Sequence, residues 1–167
     1  MTAVLDRTGP TGPAVAVWPA LGTTAELAVT DPALLADARD LLADDLAEVD
    51  AACSTYRPDS ELLAVNAAAA AGQPVRLAPL LADVVSTALR VARQTSGAVD
   101  PTGGGQTLAA RSGAGPGITV RACASWRQVR LGASGSLLTL PAGTWLDPSA
   151  TTRAWAADRS AAWIAQR

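Results

Sequence analysis

Two segments with helical periodicity most constrain what this chain folds into. The first begins at Asp31-Pro32, where aspartate suits a helix N-cap and proline suits the first turn. Its apolar residues recur at helical spacing to about Cys53, and the acidic residues opposite them indicate a solvated face. The second segment begins at Pro79, and Gly97 ends it. Each segment therefore has an apolar face to bury in a core.

Shorter segments with strand patterns lie before, between and after these helices. Leu21-Gly22-Thr23 joins the first two strands, and Gly132 to Ser136 turn a later hairpin. Ser149 caps a final helix. The predicted strands are 15–18, 23–29, 75–77, 126–131, 137–140 and 144–146.

Length and charge limit the function classes. A chain of 167 residues has the length of one domain, which we predict to span 13–167 after a disordered lead over 1–12. The net charge of -2 disfavours nucleic-acid binding, and no apolar stretch approaches the ~20 residues that span a bilayer. Because residues 1–7 lack a signal-peptide layout, we expect a cytoplasmic protein.

Missing residue types exclude further chemistry. There is no histidine, so histidine triads and histidine metal sites are excluded. All thirteen basic residues are arginine, which removes lysine Schiff bases and P-loops. Cys53 and Cys123 have no CxxC partner, and we interpret both as small buried apolar residues.

Two carboxylates are the strongest candidates for chemistry. Asp100 follows the second helix and precedes Gly103 to Gly105, and Asp147 follows the last predicted strand. Acidic groups at element ends with open backbone nearby suit a phosphate-rich, metal-linked ligand. The alternative is that each Asp-Pro pair simply forms a turn. The glycine- and proline-rich stretch 103–117 is either functional or disordered.

The candidates belong to an ordered series of segments that resembles a known family. The series comprises 21–23, 54–62, Asn66, 97–102 and 146–158. It is similar to the FAD:protein FMN transferase family, also called the ApbE or thiamine-biosynthesis-lipoprotein family, over about residues 18–165. The resemblance implies an α+β, T-fold-like mixed sheet with packed helices that binds FAD with Mg²⁺. Members cleave FAD and attach FMN to a threonine of a target flavoprotein, or hydrolyse FAD to FMN and AMP.

The resemblance also implies roles for individual residues. Leu21 would lie at the flavin, and Tyr56 would stack on a flavin or adenine ring, although a lone tyrosine is more often core or interface. The segment Ala98, Val99 and Asp100 would line the cofactor. Asp147 and Arg153 would contact FAD, and the carbonyl of Ala150 would bind the metal. No catalytic residue is assigned.

Several departures from the family pattern leave three hypotheses open. Pro148 and Ser149 change the motif after Asp147, Arg153 replaces a lysine, and the chain ends near the middle of a usual family member. The chain is therefore expected to be an apparently truncated, N-terminal part of the family's domain. The first hypothesis is that the chain transfers FMN from FAD. The second is that it binds a flavin or nucleotide without catalysis, and the third is that it is a fragment that pairs with a separately encoded C-terminal half.

Overall fold

The structure, a computed structural model, describes residues 5–7, 12–70, 72–102 and 125–166. The chain divides into two compact units. The first unit contains the residues up to Asp50 and those from Ala156 onward, and the second contains Ala51–Trp155. Predictions for Gly103 to Gly105, for the 103–117 stretch and for Cys123 lie outside the described residues.

The first unit contains a three-stranded antiparallel sheet in the order β1-β2-β3. Its strands are β1 (Leu5–Arg7), β2 (Ala14–Ala20) and β3 (Thr23–Val29). The predicted disordered lead over 1–12 is wrong for β1, because the backbone of residues 5–7 pairs with residues 15–17 of β2.

The join between β2 and β3 is a two-residue turn. Ala20 pairs with Thr23, so only Leu21 and Gly22 form the loop. Both have positive φ, 50° at Leu21 and 69° at Gly22, which is typical of a type I′ turn. This turn matches the twist of the flanking strands, but it holds a leucine in the left-handed region that L-residues avoid.

Helix α1 (Leu35–Cys53) follows a 3₁₀ turn over Pro32–Leu34. Oδ1 of Asp31 accepts a hydrogen bond from the N–H of Ala33 (2.9 Å), which confirms the predicted cap. Helix α4 (Ser149–Ile164) contributes its later turns to the first unit. The buried residues of this unit come from β2, α1 and α4, and include Ala14, Ala16, Trp18, Leu42, Leu46, Val49 and Ala156.

The acidic face of α1 is not solvated throughout. Asp45 is only 9% exposed, since the hydroxyl of Ser160 donates to its Oδ2 at 2.6 Å and Arg159 pairs with its Oδ1 at 2.8 Å. A buried carboxylate needs such partners. The expectation of a solvated acidic face is therefore wrong at Asp45.

The second unit contains α2 (Glu61–Ala69), β4 (Val75–Arg76), α3 (Pro79–Gln94), β5 (Arg130–Leu131) and β6 (Leu137–Thr139). The three strands pair antiparallel in the order β4-β6-β5. The largest fully buried side chains here include Leu62, Leu81, Val84, Val85, Leu138, Leu140 and Leu146.

The predicted α+β fold is confirmed. Where the sequence predicted one mixed sheet, the described strands form two small sheets, one in each unit, with antiparallel pairs. Residues 144–146, predicted to be a strand, pair with no strand among the described residues. Within these ranges, no helix is both long and apolar enough to cross a bilayer.

The positive φ of Leu21 predicts that Leu21→Asn stabilises the protein. Asparagine tolerates the left-handed region and forms Asn-Gly, a favoured type I′ pair, so we expect a gain of about 1 kcal/mol in the free energy of unfolding. Urea denaturation measures it. The control is Thr24→Asn, which puts the same side chain in a strand and should give no gain. Equal effects of the two substitutions would contradict this account of the turn.

Candidate functional site

A buried asparagine fixes the chain just before Asp147. Asn66, on α2, is 1% exposed. Its Nδ2 donates to the carbonyl oxygen of Leu146 (2.9 Å), and the N–H of Leu146 donates to its Oδ1 (2.8 Å). One side-chain amide therefore satisfies both backbone groups of a buried residue, as a neighbouring strand would.

The two predicted acidic segments meet directly after this anchor. The N–H of Asp147 donates to the carbonyl oxygen of Pro101 at 2.7 Å. Asp147 is thus hydrogen-bonded to the residue that follows Asp100, although 47 positions separate the two aspartates. A backbone hydrogen bond thus joins the two predicted site segments that carry Asp100 and Asp147.

Each aspartate uses one oxygen to shape its own segment. Oδ1 of Asp100 accepts from the N–H (2.8 Å) and the hydroxyl (2.7 Å) of Thr102. Oδ1 of Asp147 accepts from the N–H of Ser149 at 3.0 Å. The Oδ2 atoms accept no hydrogen bond from the residues that the structure describes. Asp100 and Asp147 therefore both form turns, and Oδ2 of each carboxylate remains available to a ligand.

The start of α4 carries the predicted metal residue. Asp147, rather than Ser149, caps this helix, because the Ser149 N–H is the group that binds the Asp147 carboxylate. The N–H groups of Thr151 and Thr152 bind the carbonyl of Pro148 (2.8 and 3.0 Å). Among the first-turn amides described, that of Ala150 has no partner, so it is open to an anion.

Ala150 and Arg153 occupy one exposed face of α4, one turn apart. The carbonyl of Ala150 lies inside the helix, where it accepts the N–H four residues on. Metal binding by this carbonyl, which would need its second lone pair, stays a prediction. Arg153 forms no ion pair with any described residue, and its guanidinium is exposed.

The segment with Ala98 and Val99 is held by Thr95. The carbonyl of Thr95 accepts from the N–H of Ala98 (3.0 Å), and its hydroxyl accepts from the N–H of Val99 (3.1 Å). Ala98 is exposed, and Val99 and Asp100 are half-buried. Their contact with a cofactor stays a prediction.

The turn that ends α3 is crowded by a tryptophan. Gly97 has φ of +90°, and a Cβ at this position would lie 2.7 Å from Nε1 of Trp126. That nitrogen is buried and finds no hydrogen-bond partner in the described part of the chain. Gly97 is therefore required both for its backbone conformation and for the close approach of the indole.

The loop after α1 displays Tyr56, which is 86% exposed. Oγ of Ser54 accepts from the N–H groups of Tyr56 (3.3 Å) and Arg57 (3.2 Å), and the hydroxyl of Ser60 donates to the Ser54 carbonyl (2.7 Å). The hydrogen bond from the Arg57 side chain lowers the pKa of Asp59. The Tyr56 side chain is therefore not part of the core, and its ring is exposed to solvent.

Leu21 lies in the first unit, while Tyr56, Ala98, Val99, Asp100, Asp147, Ala150 and Arg153 lie in the second. Leu21 lines a cavity of about 730 Å³ between the tip of the β2–β3 hairpin and α1. Its other lining residues are mainly apolar, including Trp18 and Leu46.

Sequence reasoning placed Asn66 in the ordered series but gave it no role. A signal was present, because Asn66 is the chain's sole asparagine and stands in a stretch rich in alanine and leucine.

The described residues contain no group of three or more His, Cys, Asp or Glu side chains that would hold a metal ion.

Comparison with known proteins identifies relatives. The model of the ApbE family matches residues 21–167. Among curated proteins, nothing matches this chain significantly.

Solved structures of ApbE proteins share this fold. A mutant of the flavin transferase ApbE from Vibrio cholerae matches with a TM-score of 0.73 and 22% identity, over 99% of this chain and 54% of its own. The apo flavinyl transferase ApbE from Pseudomonas stutzeri gives 0.70 and 18%, over 99% and 52%. An ApbE protein from Thermotoga maritima gives 0.69 and 17%, over 96% and 51%. The chain therefore spans about half the length of these structures.

The Asn66 anchor predicts a large loss of stability in Asn66→Ala. The substitution leaves two buried backbone groups of Leu146 without partners, at roughly 1–3 kcal/mol each. We expect about 2–5 kcal/mol less free energy of unfolding, measured by urea denaturation. Gln94→Ala, which removes an exposed amide, should change stability by under about 0.5 kcal/mol. A cost below about 1 kcal/mol for Asn66→Ala would show that the anchor is dispensable.

The crowding at Gly97 predicts that Gly97→Ala costs more than a strained backbone alone. Gly143→Ala is the matched control, because Gly143 also has positive φ (75°) but a Cβ there meets nothing within 4 Å. Both variants should lose about 1–2 kcal/mol to backbone strain, and Gly97→Ala roughly 1–3 kcal/mol more to overpacking against Trp126. Thermal denaturation compares the two. Equal losses would refute the close-contact explanation.

Proposed function

Because the chain belongs to the ApbE family, we propose that it binds FAD with Mg²⁺ and moves FMN from FAD to a threonine of a target flavoprotein. The observation that supports this most is the hydrogen bond between the Asp147 N–H and the Pro101 carbonyl. It joins the two segments that the family resemblance assigns to the cofactor. In the proposed reaction the bond between the two phosphates breaks, AMP leaves, and the threonine oxygen bonds to phosphorus as its hydroxyl proton is lost.

The carboxylates fit a metal that is bound mainly through phosphate. Asp100 and Asp147 each keep one oxygen open, and Mg²⁺ in nucleotide sites takes only one or two carboxylates beside waters and phosphate oxygens. With no group of three or more acidic, cysteine or histidine ligands in the described ranges, these residues suit a Mg²⁺–diphosphate complex better than a free ion. The metal would neutralise charge on the phosphates.

The remaining residues would bind and orient FAD. The open Ala150 N–H and the exposed Arg153 guanidinium offer donors to phosphate oxygens from one face of α4. Tyr56 is free to stack on a ring of the cofactor. The contact of Leu21 with the flavin, which the family resemblance implies, stays a prediction.

A second candidate function is FAD binding without transfer. It is favoured by the small number of metal ligands in the described ranges. This candidate keeps the roles of Asp147, Arg153 and Tyr56 in binding, and predicts no release of FMN or AMP.

Titration with FAD in the presence of Mg²⁺, followed by quenching of flavin fluorescence, tests the site. Asp147→Asn retains an oxygen acceptor for the Ser149 N–H but removes the charge, so FAD affinity should fall about tenfold or more while stability is nearly kept. Asp147→Ala should weaken FAD equally and also cost about 1 kcal/mol of stability through the lost cap. Asp158→Ala, at an exposed acid of α4, is the control and should leave the affinity unchanged.

A product assay separates the two candidate functions. The protein is incubated with FAD and Mg²⁺, and FMN and AMP are resolved by chromatography, with EDTA as the metal-free control. Release of FMN or AMP, or FMN on an added flavoprotein, supports transfer; tight FAD binding without products supports the second candidate. Absence of FAD binding, or full affinity in Asp147→Asn, would overturn the assigned site.

A further inference from the structure

A second cavity, of about 470 Å³, lies entirely within the second unit. One wall is α3, which contributes Ser86, Leu89 and Arg93. These positions are three and four residues apart, so they share one face of the helix. The other wall runs from Val129 to Ala133 and includes Gly135. None of the residues assigned to FAD lines this cavity.

The cavity carries two arginines and no acid. Arg93 comes from the last turn of α3 and Arg130 from β5, and both side chains are exposed. Neither forms an ion pair with a residue in the described ranges. The chain as a whole has a net charge of -2, so a cavity with two unneutralised guanidinium groups departs from its general acidic balance. Such a cavity attracts an anion.

Neutral donors lie beside the arginines. The turn Gly132–Gly135 is closed by the Gly135 N–H, which donates to the Gly132 carbonyl (2.8 Å). The N–H group of Ala133, which lines the cavity, has no partner among the described residues. The hydroxyl of Ser86 lines the facing wall. The apolar floor is Leu89 and Val129, which are buried.

We propose that this cavity binds a small molecule through a phosphate group. A phosphate monoester carries about −1.5 to −2 charges at pH 7, which matches two arginines, whereas a single carboxylate carries one. Its three oxygens suit guanidinium forks together with amide and hydroxyl donors. The volume exceeds that of phosphate alone and falls in the range of small-molecule sites, so it also accommodates an organic part. This site is additional to the proposed FAD site and does not depend on it.

Isothermal titration calorimetry with inorganic phosphate and with ribose 5-phosphate, which lacks the rings of FAD, tests the proposal. Both ligands should bind wild-type protein, ribose 5-phosphate more tightly, and raising the salt concentration should weaken both. The Arg93→Gln/Arg130→Gln double variant should lose at least about tenfold in affinity for each. The matched control is Arg90→Gln, which makes the same change one turn earlier on α3 at an exposed residue outside the cavity. It should bind like wild type.

Other outcomes overturn the proposal. The control removes one charge and the double variant two, so a loss in Arg90→Gln that is half the double variant's loss on a logarithmic scale would mean that only net charge matters. Unchanged binding in the double variant would place the phosphate elsewhere. Succinate, a dicarboxylate of similar charge, should bind at least about tenfold more weakly than phosphate; equal affinity would refute recognition of phosphate. Circular dichroism verifies that the exposed-arginine variants are folded, and retained FAD quenching in the double variant distinguishes this site from the proposed function.

Discussion

The side-chain amide of Asn66 holds the acidic end of the second unit in place. Through two hydrogen bonds to Leu146 it fixes the backbone one residue before Asp147, where no strand among the described residues does so. Asp147 can then reach the Pro101 carbonyl and cap α4. The geometry of both acidic segments, and of the helix that follows, thus rests on one buried polar side chain. Buried polar groups that are fully satisfied specify a single arrangement in this way.

The two interpretations of the aspartates are compatible. As turn formers, Asp100 and Asp147 each bind local backbone through Oδ1. In each residue these hydrogen bonds also fix the orientation of the carboxylate, so that Oδ2 can bind a cation or accept a hydrogen bond without rearrangement. Preorganised groups bind ligands without a further ordering cost. Local structure and binding capacity therefore have the same cause here.

Local signals in the sequence predicted local structure well. Asp31 caps the first helical segment where expected, and Gly97 lies in the turn that ends α3. The order of the motifs also predicted the family and the α+β class. In each case the information lies in a few adjacent residues or in a periodic pattern.

Features that depend on distant residues could not be predicted in this way. The burial of Asp45 depends on Ser160, 115 positions away, and Asn66 binds backbone 80 positions away. Neither contact affects hydrophobic periodicity. Strand β1 was missed because its three residues lie in a segment rich in threonine, glycine and proline, and only pairing with β2 makes them a strand. Residues 144–146 have strand-like composition, but the Asn66 side chain binds both backbone groups of Leu146, and the Thr144 N–H binds the Pro141 carbonyl.

The loop that carries Tyr56 has a thermodynamic consequence. The hydroxyls of Ser54 and Ser60 form hydrogen bonds with the loop backbone, and Arg57 forms an ion pair with Asp59. The tyrosine ring between them is exposed to solvent. The loop loses its conformational entropy when the protein folds, so a planar partner that meets the ring restricts little more than two side-chain torsions. Association at Tyr56 would consequently be governed by the dehydration of two flat surfaces rather than by loop ordering.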